Sequence, residues 1–171
     1  MKKTVEKLAA LVMVGAMALS LAACGASKKQ VEPKDFEKTL EKAGFIVEED
    51  EDEDAEECRV AYYSDEDNEE GWVILTYYLF KSSSDARSCF NASYDDLKEE
   101  KDKGKMDGTT SKNSWKFTGE GEFNSKSALG EGEYYVVGVV GQKMVIIGYA
   151  TGDKASKKVL DKALSDLGYG D

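Results

Sequence analysis

Residues that could perform catalysis are scarce in this sequence of 171 amino acids. It contains no histidine, which removes the usual general base and the commonest metal ligand. It also lacks a Gly-x-Ser-x-Gly elbow, a phosphate-binding loop and a dinucleotide fingerprint. The serines at 82–84 are better explained as a polar turn that caps the next helix than as nucleophiles. We therefore expect no enzyme, and a hydrolase using paired carboxylates is the remaining enzymatic alternative.

Carboxylates are the most abundant chemically active groups. Asp65, Asp67 and Glu69 occupy the first three ligand positions of an EF-hand loop, but Glu70 stands where that loop needs glycine. The run 48–57 is acidic at nine of its ten positions, and like charges at this density favour a solvated loop. A calcium-responsive acidic domain is therefore the alternative function, and we predict no cofactor and no resident metal.

Cys58 and Cys89 form an even pair, and both fall on core-facing positions of predicted elements. If the protein is exported, these two cysteines could form a disulfide bridge. Two buried free thiols are the other interpretation, because cysteine often packs as a small hydrophobic residue. Two thiols alone do not complete a zinc shell.

The third cysteine, Cys24, ends a segment with the layout of a secretory signal peptide. Positive residues near the N-terminus precede sixteen apolar and small residues at 8–23. This stretch is shorter than the roughly 20 apolar residues that a transmembrane helix needs. Residues 21–24 read Leu-Ala-Ala-Cys, and this motif resembles the lipobox of bacterial lipoproteins.

The lipoprotein resemblance implies that Cys24 is diacylated on its sulfur and becomes the first mature residue. Two acyl chains give stable anchoring to the lipid bilayer. The expected location is the extracytoplasmic face of the cell membrane, and Gly25 is compatible with an outer membrane if the organism has one. The resulting organisation is a signal peptide at 1–23, a flexible tether at 24–32 and one domain at 33–171.

Charge narrows the choice of partners. The chain has 23 basic and 34 acidic residues. Removing 1–23 takes away three lysines and one glutamate, which leaves 20 basic and 33 acidic residues and a net charge of −13. A surface of this charge repels phosphate backbones and anionic lipid head groups. We therefore exclude nucleic acid as a partner.

Apolar periodicity in residues 33–171 predicts an α+β domain with an antiparallel sheet of about five to seven strands and three helices. The region 104–113 is predicted to be a polar link. The predicted helices cover 33–43, 84–102 and 154–167, and the predicted strands lie at 45–47, 58–63, 72–80, 114–118, near Phe123, and at 134–140 and 143–150.

Two finer predictions concern the C-terminal half. A two-residue turn at Gly141 and Gln142 would pair residues whose numbers sum to 283, which places Tyr134 opposite Tyr149. Similar segments at 85–88 and 153–156 precede helices, and this similarity is compatible with an internal duplication.

Three tyrosine pairs supply the candidate binding face. Each pair lies in a predicted strand, so its two members point to opposite sides of the sheet. One member of each pair would lie on a face that helices leave open, although helices covering both faces is the alternative. The residues are Tyr62, Tyr63, Tyr77, Tyr78, Tyr134 and Tyr135.

Tyrosine combines a large apolar ring with a hydroxyl group, which suits wet interfaces. We therefore predict a membrane-anchored, non-enzymatic binding or interaction module. Its partner would be a protein, peptide or glycan whose identity the sequence does not specify.

Overall fold

The structure, a computed structural model, describes residues 30–65 and 68–170. This part of the chain forms three helices and a seven-stranded antiparallel sheet, which confirms the predicted α+β fold. The helices are α1 (Pro33–Lys42), α2 (Ser83–Asp102) and α3 (Lys154–Asp166). The strands are β1 (Ile46–Asp50), β2 (Glu57–Asp65), β3 (Asn68–Leu79), β4 (Met106–Lys112), β5 (Lys116–Phe123), β6 (Gly132–Val140) and β7 (Met144–Thr151).

The sheet joins two consecutive sets of strands. Its order is β1-β2-β3-β7-β6-β5-β4, so β1 to β3 and β4 to β7 each run in sequence and meet where β3 pairs with β7. Helix α2 connects the inner strand β3 to the edge strand β4. This connection carries the chain across one face of the sheet.

Local sequence signals set the helix ends. Helix α1 has Pro33 in its first turn and is followed by Gly44 at a φ of 89°, a conformation that glycine adopts without a Cβ clash. Helix α2 begins after Ser82, whose Oγ accepts a hydrogen bond from the Asp85 amide at 3.2 Å. Helix α3 begins after Asp153, whose Oδ1 accepts from the amides of Ala155 and Ser156 at 2.9 Å each. The predicted cap at 82–84 is therefore confirmed.

The two faces of the sheet carry separate cores. Helices α1 and α3 pack on one side, which we call the closed face, through buried residues such as Phe36, Leu40 and Leu160. Helix α2 packs on the other side, which we call the α2 face, through Ala86 and Phe90. It lies against β4, β6 and β7. The α2 face is therefore covered mainly on its β4 to β7 half.

Two strand predictions need correction. The polar link predicted at 104–113 contains β4, where only Met106 is buried. An edge strand with one buried side chain lacks the apolar alternation that identifies strands in a sequence.

The strands predicted at 114–118 and near Phe123 are a single strand, β5. The acidic run at 48–57 is also partly regular, because β1 extends to Asp50 and β2 starts at Glu57.

The predicted register of the β6–β7 hairpin is wrong by two residues. Tyr134 pairs with Thr151 and Val136 with Tyr149, so paired numbers sum to 285. The Gly141 amide donates to the Met144 carbonyl at 2.9 Å, which places the turn at Gln142 and Lys143. A shift of two leaves every side chain on its predicted face, because strand side chains alternate with a period of two.

The internal duplication stays a prediction. The two sets contain three and four strands, and the helices that follow them, α2 and α3, lie on opposite faces of the sheet. Their starts also differ, since Asp85 follows the capping Ser82 by three residues whereas Asp153 is itself the cap.

The predicted signal peptide and Cys24 lie outside the described residues. The last residues of the predicted tether are described and contact the domain. The Gln30 Oε1 accepts from the Lys143 amide at 3.2 Å, and the Val31 carbonyl accepts from the Tyr77 hydroxyl at 2.9 Å. Gln30 and Val31, which belong to the predicted tether, are therefore hydrogen-bonded to the domain. Within the described ranges, no helix has the length and apolar character required to cross a bilayer.

Candidate binding surface

The six candidate tyrosines divide evenly between the two faces, as strand alternation requires. Tyr62, Tyr78 and Tyr134 share the α2 face, because their cross-strand neighbours belong to the core beneath α2 or to its margin. Tyr63, Tyr77 and Tyr135 lie on the closed face. Each pair therefore contributes one residue to the more exposed side.

The closed-face tyrosines correct the predicted binding face. Tyr77 is completely buried and Tyr135 is 6% exposed. Burial is the main reason that the pKa of Tyr77 is raised far above its ordinary value. Tyr63 is half-buried, with its ring 5.3 Å from that of Phe45. Tyr77 and Tyr135 thus stabilise the core and are inaccessible to a partner.

On the α2 face, an apolar row that is exposed at its β1 and β2 end leads towards α2. We call it the open row. Ile46 and Tyr62 are 67% and 42% exposed, and they are the large hydrophobic side chains that stand out in solvent among the described residues. Directly opposed side chains in adjacent strands contact each other. In order across β1, β2, β3 and β7, the row consists of Ile46, Tyr62, Ile74 and Tyr149.

Beside the open row, the flank of α2 forms one wall of a groove. Cys89, Ser93, Asp96 and Glu100 recur at helical spacing and therefore share that flank. Ala86, Phe90 and Leu97 lie on the adjacent stripe and are buried against the sheet. We call the space between this flank and the sheet the α2 groove.

Two cavities make up the α2 groove, and both are lined by Ser93, Asp96 and Tyr149. The first has a volume of about 280 Å³, and its floor is formed by strands β3 and β7. The second has a volume of about 350 Å³ and is the more apolar of the two. Its apolar lining consists of Leu97, Phe117, Phe123, Ala128, Leu129 and Val136. Because Tyr149 also ends the open row, the row and the groove form one continuous surface.

Carboxylates surround the first cavity. Asp96 comes from α2, and Asp52 and Asp54 come from the loop between β1 and β2. The Asp52 Oδ1 accepts from the amides of Asp54 and Ala55 at 3.0 and 3.2 Å, which gives this loop a defined turn. Among the ion pairs found in the described residues, none involves Asp52, Asp54 or Asp96.

Two carboxylates that line only the second cavity, Glu99 and Glu100, differ from the shared Asp96 because lysines neutralise them. The Lys105 Nζ lies 2.8 Å from Glu100 Oε1, and Lys103 pairs with Glu99. The pKa of Glu100 is lowered, chiefly by its hydrogen bond from Lys105. The net negative charge of the groove is therefore concentrated at the first cavity.

Burial controls the titration of the groove's phenols and thiol. Burial raises the pKa of Tyr78 to about 12, with smaller contributions from Cys58 and from the charge of Asp52. It also raises the pKa of Tyr149, and the charge of Asp96 adds to this shift. Burial likewise raises the pKa of Cys89. These groups are therefore neutral hydrogen-bonding or apolar groups near pH 7.

The hydroxyl and thiol in the groove are not arranged as activated nucleophiles. The Ser93 Oγ donates to the Cys89 carbonyl at 3.0 Å, so its proton is directed into the helix. A raised pKa reduces the thiolate fraction of Cys89, and the thiolate is the reactive form. This geometry suits noncovalent binding better than covalent chemistry.

Cys58 and Cys89 are both free thiols, so the structure lacks the disulfide that was one of the two predictions. Cys58 is the cross-strand partner of Tyr78, and Cys89 lines the same cavity as Tyr78. Cys58 is 4% exposed, and burial raises its pKa to about 11. Both cysteines thus lie towards the α2 face, as their predicted core positions require.

The calcium candidates are not brought into a described site. Asp67 lies outside the described residues, and Asp65 and Glu69 are described only as backbone positions in β2 and β3. In the ranges that the structure covers, no group of three or more Cys, Asp or Glu side chains is placed to hold a metal ion.

Sequence reasoning missed several residues of this surface. Ile46 and Ile74 were assigned only to strands, and Tyr149 was placed opposite Tyr134 by the incorrect hairpin register. Asp96 was one of many charged residues in the second half of a helix. The spacing from Cys89 through Ser93 to Asp96 was the available signal, because it places a thiol, a hydroxyl and a carboxylate on one helical flank.

These features define a single-sheet α+β domain with one closed face and one partly open, acidic face. The sequence matches no family model and no curated protein. One solved structure to which it is similar is the extracellular domain of PknH from Mycobacterium tuberculosis, with a TM-score of 0.42 and 14% identity. That similarity covers 77% of this chain and 69% of the other. It is too low to establish a common fold or function.

Proposed function

We propose that the protein is a non-enzymatic binding module, anchored through acylated Cys24 at the extracytoplasmic face of the membrane. Its binding surface is the open row together with the α2 groove. The observation that carries this proposal is the exposure of Ile46 and Tyr62 in a row that continues into the first cavity at Tyr149. Connected apolar surface of this kind, bordered by polar groups, is typical of interaction sites.

The composition of this surface favours binding. The surface contains three tyrosine rings that differ in exposure. Tyr62 is exposed, whereas Tyr78 and Tyr149 are half-buried. Rigid aromatic side chains contribute large contact areas at low entropic cost. The groove adds the selectivity that a flat apolar patch lacks, because its first cavity has polar groups around an aromatic floor.

A photo-crosslinking amino acid placed at position 62 of the full chain tests the binding surface in cells. We expect a discrete adduct from position 62 and none from exposed Lys158 on α3. The Ile46→Glu substitution should abolish the adduct from position 62, because it puts a charge in the open row. Equal adducts from both positions, or an adduct that survives Ile46→Glu, would contradict the proposal.

Fractionation of cells tests the anchor separately. The Cys24→Ser variant cannot be acylated on sulfur, so the domain should move from the membrane fraction to the soluble fraction. If this variant still sediments with membranes, the segment at 8–23 is retained and the proposed anchoring is wrong.

A further inference from the structure

We propose that the α2 groove binds an extended peptide segment carrying a Lys or Arg two residues away from a bulky apolar side chain. This inference rests on the proposed binding function and specifies the chemistry of the partner. It combines the spacing of the two cavities with the difference in their charge.

The first cavity suits a basic side chain. Asp52, Asp54 and Asp96 surround it, and their charges are not matched by ion pairs within the described ranges. Its floor includes Tyr78 and Tyr149, whose rings can face a cation. A guanidinium or ammonium group would thus gain carboxylate hydrogen bonds while its aliphatic stem packs on the rings.

The second cavity suits an apolar side chain. It shares Asp96 with the first cavity, and its other carboxylates, Glu99 and Glu100, are paired with Lys103 and Lys105. The rest of its lining is mainly apolar and includes Phe123, Leu129 and Val136. A volume of about 350 Å³ is ample for one large side chain.

The distance between the cavities selects an extended peptide. On α2, the first cavity is lined by residues between 89 and 96, and the second by residues between 93 and 100. The midpoints of these ranges are four residues apart, which at 1.5 Å per residue is about 6 Å along the helix. Side chains two apart in an extended chain point to the same side and are about 7 Å apart, which is close to this spacing.

Charge disfavours a second copy of this chain as the occupant. The mature chain has a net charge of −13, so two acidic surfaces would repel each other on approach. The same argument opposes an anionic lipid surface. A basic peptide is attracted by this field.

Peptide titration monitored by amide chemical shifts tests the inference. The protein is the mature chain with Cys24→Ser, which contains both cores of the described domain. The first probe is a nonapeptide of Gly, Ser and Thr that carries Arg and Leu at positions two apart. One matched probe has Glu in place of Arg, and a second separates Arg and Leu by three residues.

We expect the Arg-x-Leu probe to shift the amides of Asp96 and Tyr149 and to bind roughly tenfold more tightly than the Glu probe at low ionic strength. The probe with the longer spacing should bind more weakly than the first. Shifts confined to other regions, or equal binding of all three probes, would overturn the inference.

Neighbouring carboxylates provide a matched control. Asp95 and Asp96 are both exposed on α2, but only Asp96 lines the cavities. Asp96→Asn should weaken binding of the Arg probe several-fold, whereas Asp95→Asn, with the same change in net charge, should leave it unchanged. Equal weakening would mean a nonspecific charge effect and would contradict the proposed site.

Different results would contradict the proposed binding surface and the basic-peptide inference. If the Arg probe does not bind at millimolar concentration while the cellular adduct from position 62 persists, the basic-peptide inference is wrong and the binding surface stands. If a self-association measurement shows dimers that Ile46→Glu disrupts, the occupant is a second copy and the peptide inference is overturned.

Discussion

Within the described part of the chain, two helices cover the closed face of the sheet, whereas one helix covers the α2 face. Seven strands about 4.8 Å apart span roughly 29 Å, and a helix is about 10 Å wide. Two helices therefore leave little of a face exposed, and one helix leaves a large part of it open. The difference explains why Tyr77 is completely buried while Tyr62, in the neighbouring strand, is 42% exposed.

The two faces are therefore expected to have different roles, with the closed face contributing to stability and the open row to binding. Residues of the closed face contact helices of the same chain, so their substitution should change the free energy of unfolding. Ile46 and Tyr62 of the open row lack such cover among the described residues, so their substitution should change partner binding with little effect on stability. Four predictions test this division.

The largest expected difference is between two isoleucines. Ile146 is fully buried on the closed face, whereas Ile46 is 67% exposed on the α2 face. Ile146→Ala should lower the free energy of unfolding by about 2 to 5 kcal/mol through lost burial and the cavity it leaves. Ile46→Ala should cost less than about 1 kcal/mol.

Urea unfolding of both alanine variants measures this pair. The midpoint should fall sharply for Ile146→Ala with little change in slope. Similar losses in the two variants would show that Ile46 is covered and that the α2 face is not open.

The second prediction asks whether the covered half of the α2 face is packed as tightly as the closed face. A Cβ on Gly138 would lie 2.2 Å from the Phe117 ring, and that ring is already in contact with Phe90 at 5.2 Å between centroids. Gly138→Ala should therefore destabilise the protein by about 1 to 3 kcal/mol through overpacking.

A double variant controls for the glycine substitution itself. Adding Phe117→Leu should make the combined loss smaller than the sum of the single losses, because the smaller side chain relieves the clash. Strict additivity, measured by urea unfolding, would indicate that the ring is free to move and that this half is loosely packed.

The third prediction weakens α3, which closes the other face. Asp153 caps α3, so Asp153→Ala should cost about 1 kcal/mol near neutral pH. Asp153→Asn keeps an acceptor for the amides of Ala155 and Ser156 and should cost less. Urea unfolding of both variants, with the wild type as reference, gives these values.

The cap should also depend on pH. Hydrogen bonds, with that of Ser156 foremost, lower the pKa of Asp153 to about 2. Because this is below the unfolded value of about 3.9, its stabilisation is present above pH 4 and is lost as the pH falls towards 2. The gap between wild type and Asp153→Ala should narrow over that range, and a constant gap would contradict the role of the charge.

The smallest expected effect is a difference in the rate of thiol labelling between Cys89 and Cys58. This rate reports how deeply each thiol is buried on the α2 face. In the Cys24→Ser protein at pH 8, Cys89 should react slowly with a thiol reagent, and Cys58 should react only after unfolding. Burial protects both thiols and raises the pKa of each, to about 11 for Cys58. Cys89→Ser should remove the reaction of the folded protein.

Mass spectrometry distinguishes two free thiols from the alternative, a disulfide between Cys58 and Cys89. If neither thiol reacts in denaturant and reduction adds two protons, the cysteines are bridged. That result would place a covalent link between α2 and β2 and would change the description of the groove.

Much of the fold follows from local sequence patterns. The residues Phe36 and Leu40 define an apolar stripe on α1, Gly44 ends that helix, and the paired tyrosines mark strands with two apolar sides. These signals depend on neighbours within a few positions, so they are legible in the sequence alone. The edge strand β4 escaped detection because its polar residues contact solvent and only Met106 is buried.

The candidate surface depended on contacts between distant segments. The alternation of side chains along a strand was enough to place Tyr62 and Tyr63 on opposite faces of the sheet. The scarcity of catalytic residue types in the sequence favoured a binding function over an enzymatic one. Which tyrosines stay accessible was decided by the number of helices on each face. The groove exists only because α2 places Asp96 beside Tyr149, more than 50 positions away in the chain, and such nonlocal packing leaves no periodic signal in the sequence.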